Sequence, residues 1–453
     1  MTLMYFMMWT MTWMSSRVLK ELSKHMMLMG SGLLAMPTLY DWWEMNVFYT
    51  TDGMADILML LTAYLMPLSM MSNWNNMKNR LFYELVLNTG MILLMNFMCQ
   101  DMTSFYMYFE ASLAPLFVMM GLYGASNKDK AADYMLIYTL FSSLFMLLAM
   151  GIYEMLLDNT DYQGTSLLVL SMDLQCILFL AMSMGMAVKT PLAPVHTWLP
   201  VVHSESPLAG SMLLAGVMLK LAVYAMIRLI LPTLSDAAVL YTPLVYVLCV
   251  MTIIYTSMIT LRQTDLKVMI AYSSISHMSV CMLGMLSNTL TGMSGSLMLS
   301  LAHGFVSPGL FIIVGGMLYD RYHNRLMYYY QGLLTYMPIL SIYFIIFSFS
   351  NIGTPLSLNF IGEILSLTGS INRAPILGAF AATSVTLSAS YQIKITNRLT
   401  GGIKTPYIST TADSTFRENF LMFATMSPTT FFGLFPNFIL NIIWESSYTI
   451  YKI

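Results

Sequence analysis

Four ionisable side chains stand where the surrounding sequence offers them no water. Glu110 lies within FYMYFEASLAPLF, Lys220 within SMLLAGVMLKLAVYAM and Glu363 within LNFIGEILSL, while Lys189 follows fifteen uncharged residues and precedes Thr190-Pro191. An ionisable group at the centre of a bilayer costs on the order of 3 kcal/mol, so each of these needs a polar interior and a partner or a task. Burial opposes the charged form and a nearby opposite charge favours it. A change of partner therefore changes which group keeps the proton, and a proton relay needs that property. Two static salt bridges would use the same four residues, and Lys189, beside its prolines, is also placed to snorkel to a membrane surface. Two histidines extend the set. His277 shares a helical face with Ser273 and Ser276, and His303 with Ser300 and Ser307. These are either two hydrogen-bonded interhelical seams or a hydrated strip in which imidazole, titrating near neutrality, passes protons along.

Such residues have to be held by membrane helices. The chain has 453 residues, 57% hydrophobic and 9% charged, and a mean hydropathy of +0.68, whereas soluble proteins carry about 25% charged residues. A net charge of −2 leaves no basic face for nucleic acid. Apolar runs give fourteen candidate spans, at 2–16, 26–40, 54–71, 82–98, 101–122, 132–153, 172–201, 208–231, 241–261, 267–286, 294–318, 334–369, 375–397 and 419–441.

The basic residues test that count independently, because they gather on the inner side of a membrane. Loops after odd-numbered spans hold 15 of them, from Arg17, Lys20 and Lys24 through Lys128, Lys130, Arg262 and Lys267 to Arg417. Loops after even-numbered spans hold Arg228, Arg373 and Lys452. The alternation implies fourteen helices with both termini outside. The seventh and twelfth spans are interrupted by the same tripeptide, Thr190-Pro191-Leu192 and Thr354-Pro355-Leu356. Proline breaks the backbone ladder, and paired broken helices of opposite direction predict an inverted repeat. The fold expected is thus all-α and polytopic, with N-terminal helices in 1–80, five-helix repeats in 82–231 (helices 4–8) and 241–397 (helices 9–13), and a last helix in 398–453.

Other features are quieter. Cys99, Cys176, Cys249 and Cys281 are isolated, so neither metal ligation nor a disulfide framework is expected. No phosphate-cradling loop or dinucleotide fingerprint occurs, so no cofactor is expected in this chain. His196, His203 and Glu205 in HTWLPVVHSESP lack zinc-helix spacing and read as loop residues. Asp265 reads as a helix cap, Arg262 and Lys267 as inner-side charges, and Tyr328-Tyr329-Tyr330 as an interfacial belt. The 48 methionines serve either as flexible apolar filler or as the trace of a mitochondrial genetic code. The apolar run Leu3 to Met14 precedes the first charges, unlike a targeting peptide.

MYFEASLAPLF, AVKTPLAPVHTWLPVVHSESPLAGSMLLAGVMLKLAVYAMIR, LRQTDLKVMIAYSSISHM, LAHGF, FIGEILSL and FRENFLMF together resemble the antiporter-like membrane subunits of respiratory complex I, from about Met54 to the C-terminus. That resemblance implies a fourteen-helix proton-pumping subunit of the mitochondrial inner membrane, with both termini on the intermembrane-space side. It assigns Glu110 and Lys189 as the acid–lysine pair of helices five and seven, and Lys220 as the helix-eight lysine. His277 and His303 become central-axis histidines, and Glu363 the helix-twelve acid. An acid at 363 separates the chain from family chains 2 and 5, where lysine is expected; these would be its neighbours, with lipids such as cardiolipin. NADH, FMN, iron–sulfur clusters and ubiquinone would belong to other subunits. A sodium–proton antiporter subunit and a structural spacer remain alternatives.

Overall fold

The computed structural model describes residues 52–73, 80–157, 160–168, 170–407, 409 and 411–452; the expected spans 2–16 and 26–40 lie outside them. Among the described residues the chain is helical, and two isolated bridges, Asp101 to Asp161 and Asp265 to Leu326, are its only β-type pairings.

The helices match the hydropathy closely. The first four are α1 (Gly53–Ser72), α2 (Arg80–Met98), α3 (Met102–Ala111) and α4 (Leu113–Tyr123). Next come α5 (Lys128–Leu156), α6 (Met172–Lys189) and α7 (Trp198–Glu205). After these are α8 (Leu208–Thr233), α9 (Ser235–Arg262), α10 (Leu266–Met285) and α11 (Leu290–Tyr322). The last five are α12 (Pro338–Ile352), α13 (Leu358–Arg373), α14 (Pro375–Thr400), α15 (Phe416–Leu434) and α16 (Asn437–Lys452). Ten crossings are long and apolar enough to span a bilayer among the described residues. The broken pair α12–α13 and the more polar α15 complete the twelve expected from the third span onward.

Three differences from the sequence reading have plain causes. The fifth span is divided by a turn at Ser112, where α3 ends; the serine hydroxyl donates to Phe109 O (2.7 Å), diverting a carbonyl of the last turn. The fourteenth span also divides, at Phe435-Pro436, where proline cannot continue the helix. Beyond it the chain forms a separate amphipathic helix, α16, packed on α1 and α11. Finally, Lys267 is not a loop cation: it is buried in the first turn of α10.

Local chemistry sets the boundaries. Asp265 caps α10 by accepting from Lys267 N (3.0 Å), and Thr289 caps α11 by accepting from Gly292 N (3.1 Å). Thr415 and Glu418 form a reciprocal capping box at α15. Helix α12 stops at Gly353, whose φ of 79° suits glycine.

The centre of the bundle is α11, buried from Gly292 to Leu318, with α8 and α10 nearly so; α5 and α14 keep most of their apolar surface outward. Small residues bring the central backbones together. Helix α11 packs most extensively on α13. A Cβ added at Gly292, Gly295, Gly362 or Gly369 would fall within 2.6 Å of atoms of neighbouring turns, on the facing helix for three of the four. Gly216 of α8 and Gly304 of α11 cross in the same way, each close to the other's carbonyl.

Candidate functional site

The Gly216–Gly304 crossing sets the geometry around Lys220. Just before this lysine, α8 widens into a π turn over Leu214–Met218, a device common at functional positions. The fully buried Nζ donates to Ala215 O, five residues back, and lies 2.9 Å from His303 Nδ1. Ser307, one turn on, donates to His303 O (2.7 Å), and its hydroxyl stands 3.4 Å from the same Nδ1. The His303 ring centroid is 5.9 Å from that of His277 on α10. His277 in turn places Nδ1 3.1 Å from Glu363 Oε1, while its Nε2 has no partner among the described residues. Glu363, in the second turn of α13, packs against Gly353 at the break: a Cβ there would meet Oε2 at 2.7 Å. Lys220, His303, His277 and Glu363 thus form one buried series drawn from α8, α11, α10 and α13.

Lys189 and Glu110 lie apart from this series. Lys189 ends α6, and the adjoining break is held by Trp198 Nε1 donating to Val188 O (2.9 Å) and Thr190 Oγ1 to Met186 O (2.9 Å). Its ammonium donates to Phe109 O (3.1 Å) and sits 3.0 Å from the centroid of the Phe109 ring, a cation–π arrangement. It therefore engages α3 one residue before Glu110. Both carboxylate oxygens of Glu110 are buried, with no partner at hydrogen-bonding distance among the described residues; Lys189 and Ser143 are the neighbouring polar groups. The acid and the lysine are neighbours without a contact ion pair.

The flanking serines mostly spend their protons on their own helices. Ser273 donates to Ile270 O, Ser276 to Ser273 O and Ser300 to Leu297 O. Cross-helix links come from other types: Asn351 Nδ2 reaches Ser273 Oγ at 3.4 Å, and the Tyr391 hydroxyl lies 3.5 Å from Ser276 Oγ.

Two residues with a place here escape the sequence reading. Phe109 carries no charge and signals nothing. His203, read as a loop residue, is fully buried in α7 and stacked on Phe311 at 4.7 Å, with neither ring nitrogen partnered among the described residues. Its charged neighbours are the ammonium groups of Lys267 and Lys220. The signal available was its i+7 spacing from His196 across a proline-rich break. Glu205 ties the end of α7 to two loops: it accepts from Asn127 N (2.9 Å), pairs with Arg325 (3.3 Å), and through its backbone carbonyl accepts from Ala125 N (2.9 Å). Among the described residues, no three His, Cys, Asp or Glu side chains converge on a possible metal position.

Residues 99–388 match the family described as NADH:quinone oxidoreductase/Mrp antiporter, TM, an interval that contains all six candidate residues. A Debaryomyces hansenii protein named NADH-ubiquinone oxidoreductase chain 4 is 73% identical over 451 residues, covering 100% of this chain and 97% of that one. The chain belongs to the NADH-ubiquinone oxidoreductase chain 4 family. A chain in the structure of respiratory complex I from Thermus thermophilus with bound NADH superposes on this chain-4 family member with a TM-score of 0.89 at 26% identity, covering 96% of each. A chain of the Mrp complex from Dietzia sp. DQ12-45-1b shares the fold, with a TM-score of 0.85 at 15% identity, covering 100% of this chain and 98% of that one.

Proposed function

We propose that this chain is a proton-translocating subunit of the membrane arm of respiratory complex I, in the mitochondrial inner membrane with both termini on the intermembrane-space side. The observation that carries this reading is the buried series Lys220–His303–His277–Glu363. In it, Nδ1 of one imidazole faces an ammonium and Nδ1 of the other faces a carboxylate. An ammonium proton of Lys220 passes to His303 Nδ1, and the imidazolium gives up its other N–H toward His277. His277 takes it at the unpartnered Nε2 and releases the Nδ1 proton to Glu363. Each transfer breaks one N–H bond and forms one N–H or O–H bond, so no charge is stranded. Glu110 acts on Lys189, and through it on Lys220, as the adjustable counter-charge.

The redox groups (FMN, iron–sulfur clusters, ubiquinone) and NADH oxidation reside in other subunits. Chains 2 and 5 are neighbours, and lipids such as cardiolipin fill the seams. Helices of 82–231 and 241–397 act as two inverted half-channels meeting at the histidines.

The test replaces Lys220 with Met in the assembled complex. Fewer protons translocated per electron are expected, and an unchanged ratio would sink the relay. A second reading, a subunit of a sodium–proton antiporter, draws on the likeness to the Mrp fold. Isolation of the native assembly separates the two: flavin, iron–sulfur clusters and quinone-linked NADH oxidation favour the first, sodium-driven exchange without them the second.

A further inference from the structure

One buried cation has no part in this relay. Lys267 lies in the first turn of α10, 4% exposed, on the side that carries the basic loops. Its ammonium donates to Ser206 O (3.2 Å) at the corner joining α7 to α8. A lysine is rarely buried without a charge partner, yet no carboxylate forms an ion pair with this one among the described residues. The nearby acid Asp265 is engaged by Arg325 at 3.6 Å, and Glu205 by the same guanidinium at 3.3 Å.

Helix α11 relates Lys267 to the relay. His303 and Ser307 occupy one face beside Lys220; Phe311, four residues further, carries the stacked ring of His203. Four residues beyond that is Gly315, where an added Cβ would lie 2.7 Å from Lys267 Cε and 3.5 Å from Nζ. Positions 303, 307, 311 and 315 trace one line along the helix, about 6 Å apart. The wider π turn at Ile312–Leu318 keeps Gly315 beneath that line instead of letting it drift round. Only a residue without a side chain at 315 lets the lysine stem lie against α11.

We propose that Lys267 is the residue through which the relay takes up protons from the basic-loop surface. Its ammonium gives a proton, across one intervening water, to a ring nitrogen of His203; the imidazolium gives its other proton to neutral Lys220. Neutral Lys267 then recovers a proton from the aqueous surface beneath Arg325. One N–H bond breaks and one forms at each step. The inference rests on the relay reading of Lys220, His303, His277 and Glu363.

The test uses the assembled complex with three single variants and Lys220→Met beside them. Lys267→Arg keeps a cation and donors for Ser206 O but does not deprotonate; Lys267→Met removes the charge. Both should lower protons translocated per electron. Lys267→His should restore part of that yield, with its pH profile displaced toward acid, since imidazole titrates near 6.5. The other charged or titratable groups around this position are Arg325, Asp265, Glu205, Asp320, Tyr319 and His203, and they are common to all three variants. A wild-type yield from Lys267→Arg, or a wild-type pH profile from Lys267→His, would overturn the proposal and leave Lys267 a strut. If Lys220→Met loses yield while Lys267→Arg keeps it, only the uptake step fails. If Lys220→Met keeps it, the relay itself does.

Discussion

The two helix breaks share a tripeptide and little else. At the first, Lys189 stands before the break, its ammonium held by a backbone carbonyl and an aromatic face, with an acid nearby that forms no ion pair with it. At the second, Glu363 stands after the break, in contact with an imidazole and pressed against the glycine that ends α12. The first arrangement is open: the Lys189 ammonium rests on neutral partners, and the neighbouring Glu110 acts on it without a contact ion pair. The second is closed, and its acid already belongs to a connected series. On the proposed relay, control and conduction are thereby separated. A lone counter-charge has no substitute, whereas His277 and the Tyr391 hydroxyl flank Glu363 and can share its task.

That contrast is most directly broken by comparing two neutralisations. Glu110→Gln should lower coupled quinone reduction and proton yield by about 100-fold, the scale on which a nearby opposite charge alters a partner's hold on its proton. Glu363→Gln should cost only a few-fold, about 1 kcal/mol or less. Equal losses in parallel turnover assays would show that the two breaks do the same work. Loss of neither would favour the spacer reading.

A finer probe is Phe109→Leu. It preserves the carbonyl that accepts from Lys189 and removes the ring, worth about 0.5–2 kcal/mol. The free lysine then favours Glu110, and a several-fold slower turnover with unchanged assembly is expected. An unaltered rate would mean that the ring does not hold the open state.

The smallest effect concerns the N-terminal end of the helix that carries Glu110. Asp101, the N-terminal flank of α3, has its carboxyl held above the usual 3.8 by the hydrogen bond that its protonated form donates to the Asp161 carboxylate, with burial and the like charge adding to it. The same pair is tied by Met102 N donating to Thr160 O (3.1 Å) and Tyr162 N to Gln100 O (3.0 Å). Because the folded carboxyl binds its proton more tightly than the unfolded one, this stabilisation is full below the ordinary value and is lost as pH rises through the raised one. Amide exchange at Met102 and Tyr162, corrected for the intrinsic rate, should therefore lose protection with rising pH. Asp161→Asn should flatten that dependence.

Much of this architecture is legible in the amino-acid order alone. Hydropathy locates every described crossing, because lipid-facing and core positions are both apolar and the charges alternate sides. The Thr-Pro-Leu repeats locate both breaks, since proline cannot be disguised. Contacts made by residues of ordinary type stay hidden. Phe109 engages Lys189 through its ring and its carbonyl, and neither has a signature. His203 is obscured by the prolines and serines around it, which resemble a loop yet fold into α7. Lys267 reads as a surface charge because Asp265 and Arg262 flank it; only the glycine at 315, in the next helix along the chain, makes room for its burial.

The glycines along α11 and α13 have a mechanical consequence. With main chain lying on main chain from Gly292–Gly369 to Leu299–Gly362, these two segments have no soft side-chain layer in which to slide, and behave as one casting. On the proposed relay, what carries Glu363 away from His277 is then torsion within the side chain, or a flexing of the left-handed corner at Gly353. The moving part would be a few bonds, and the bundle around it its housing.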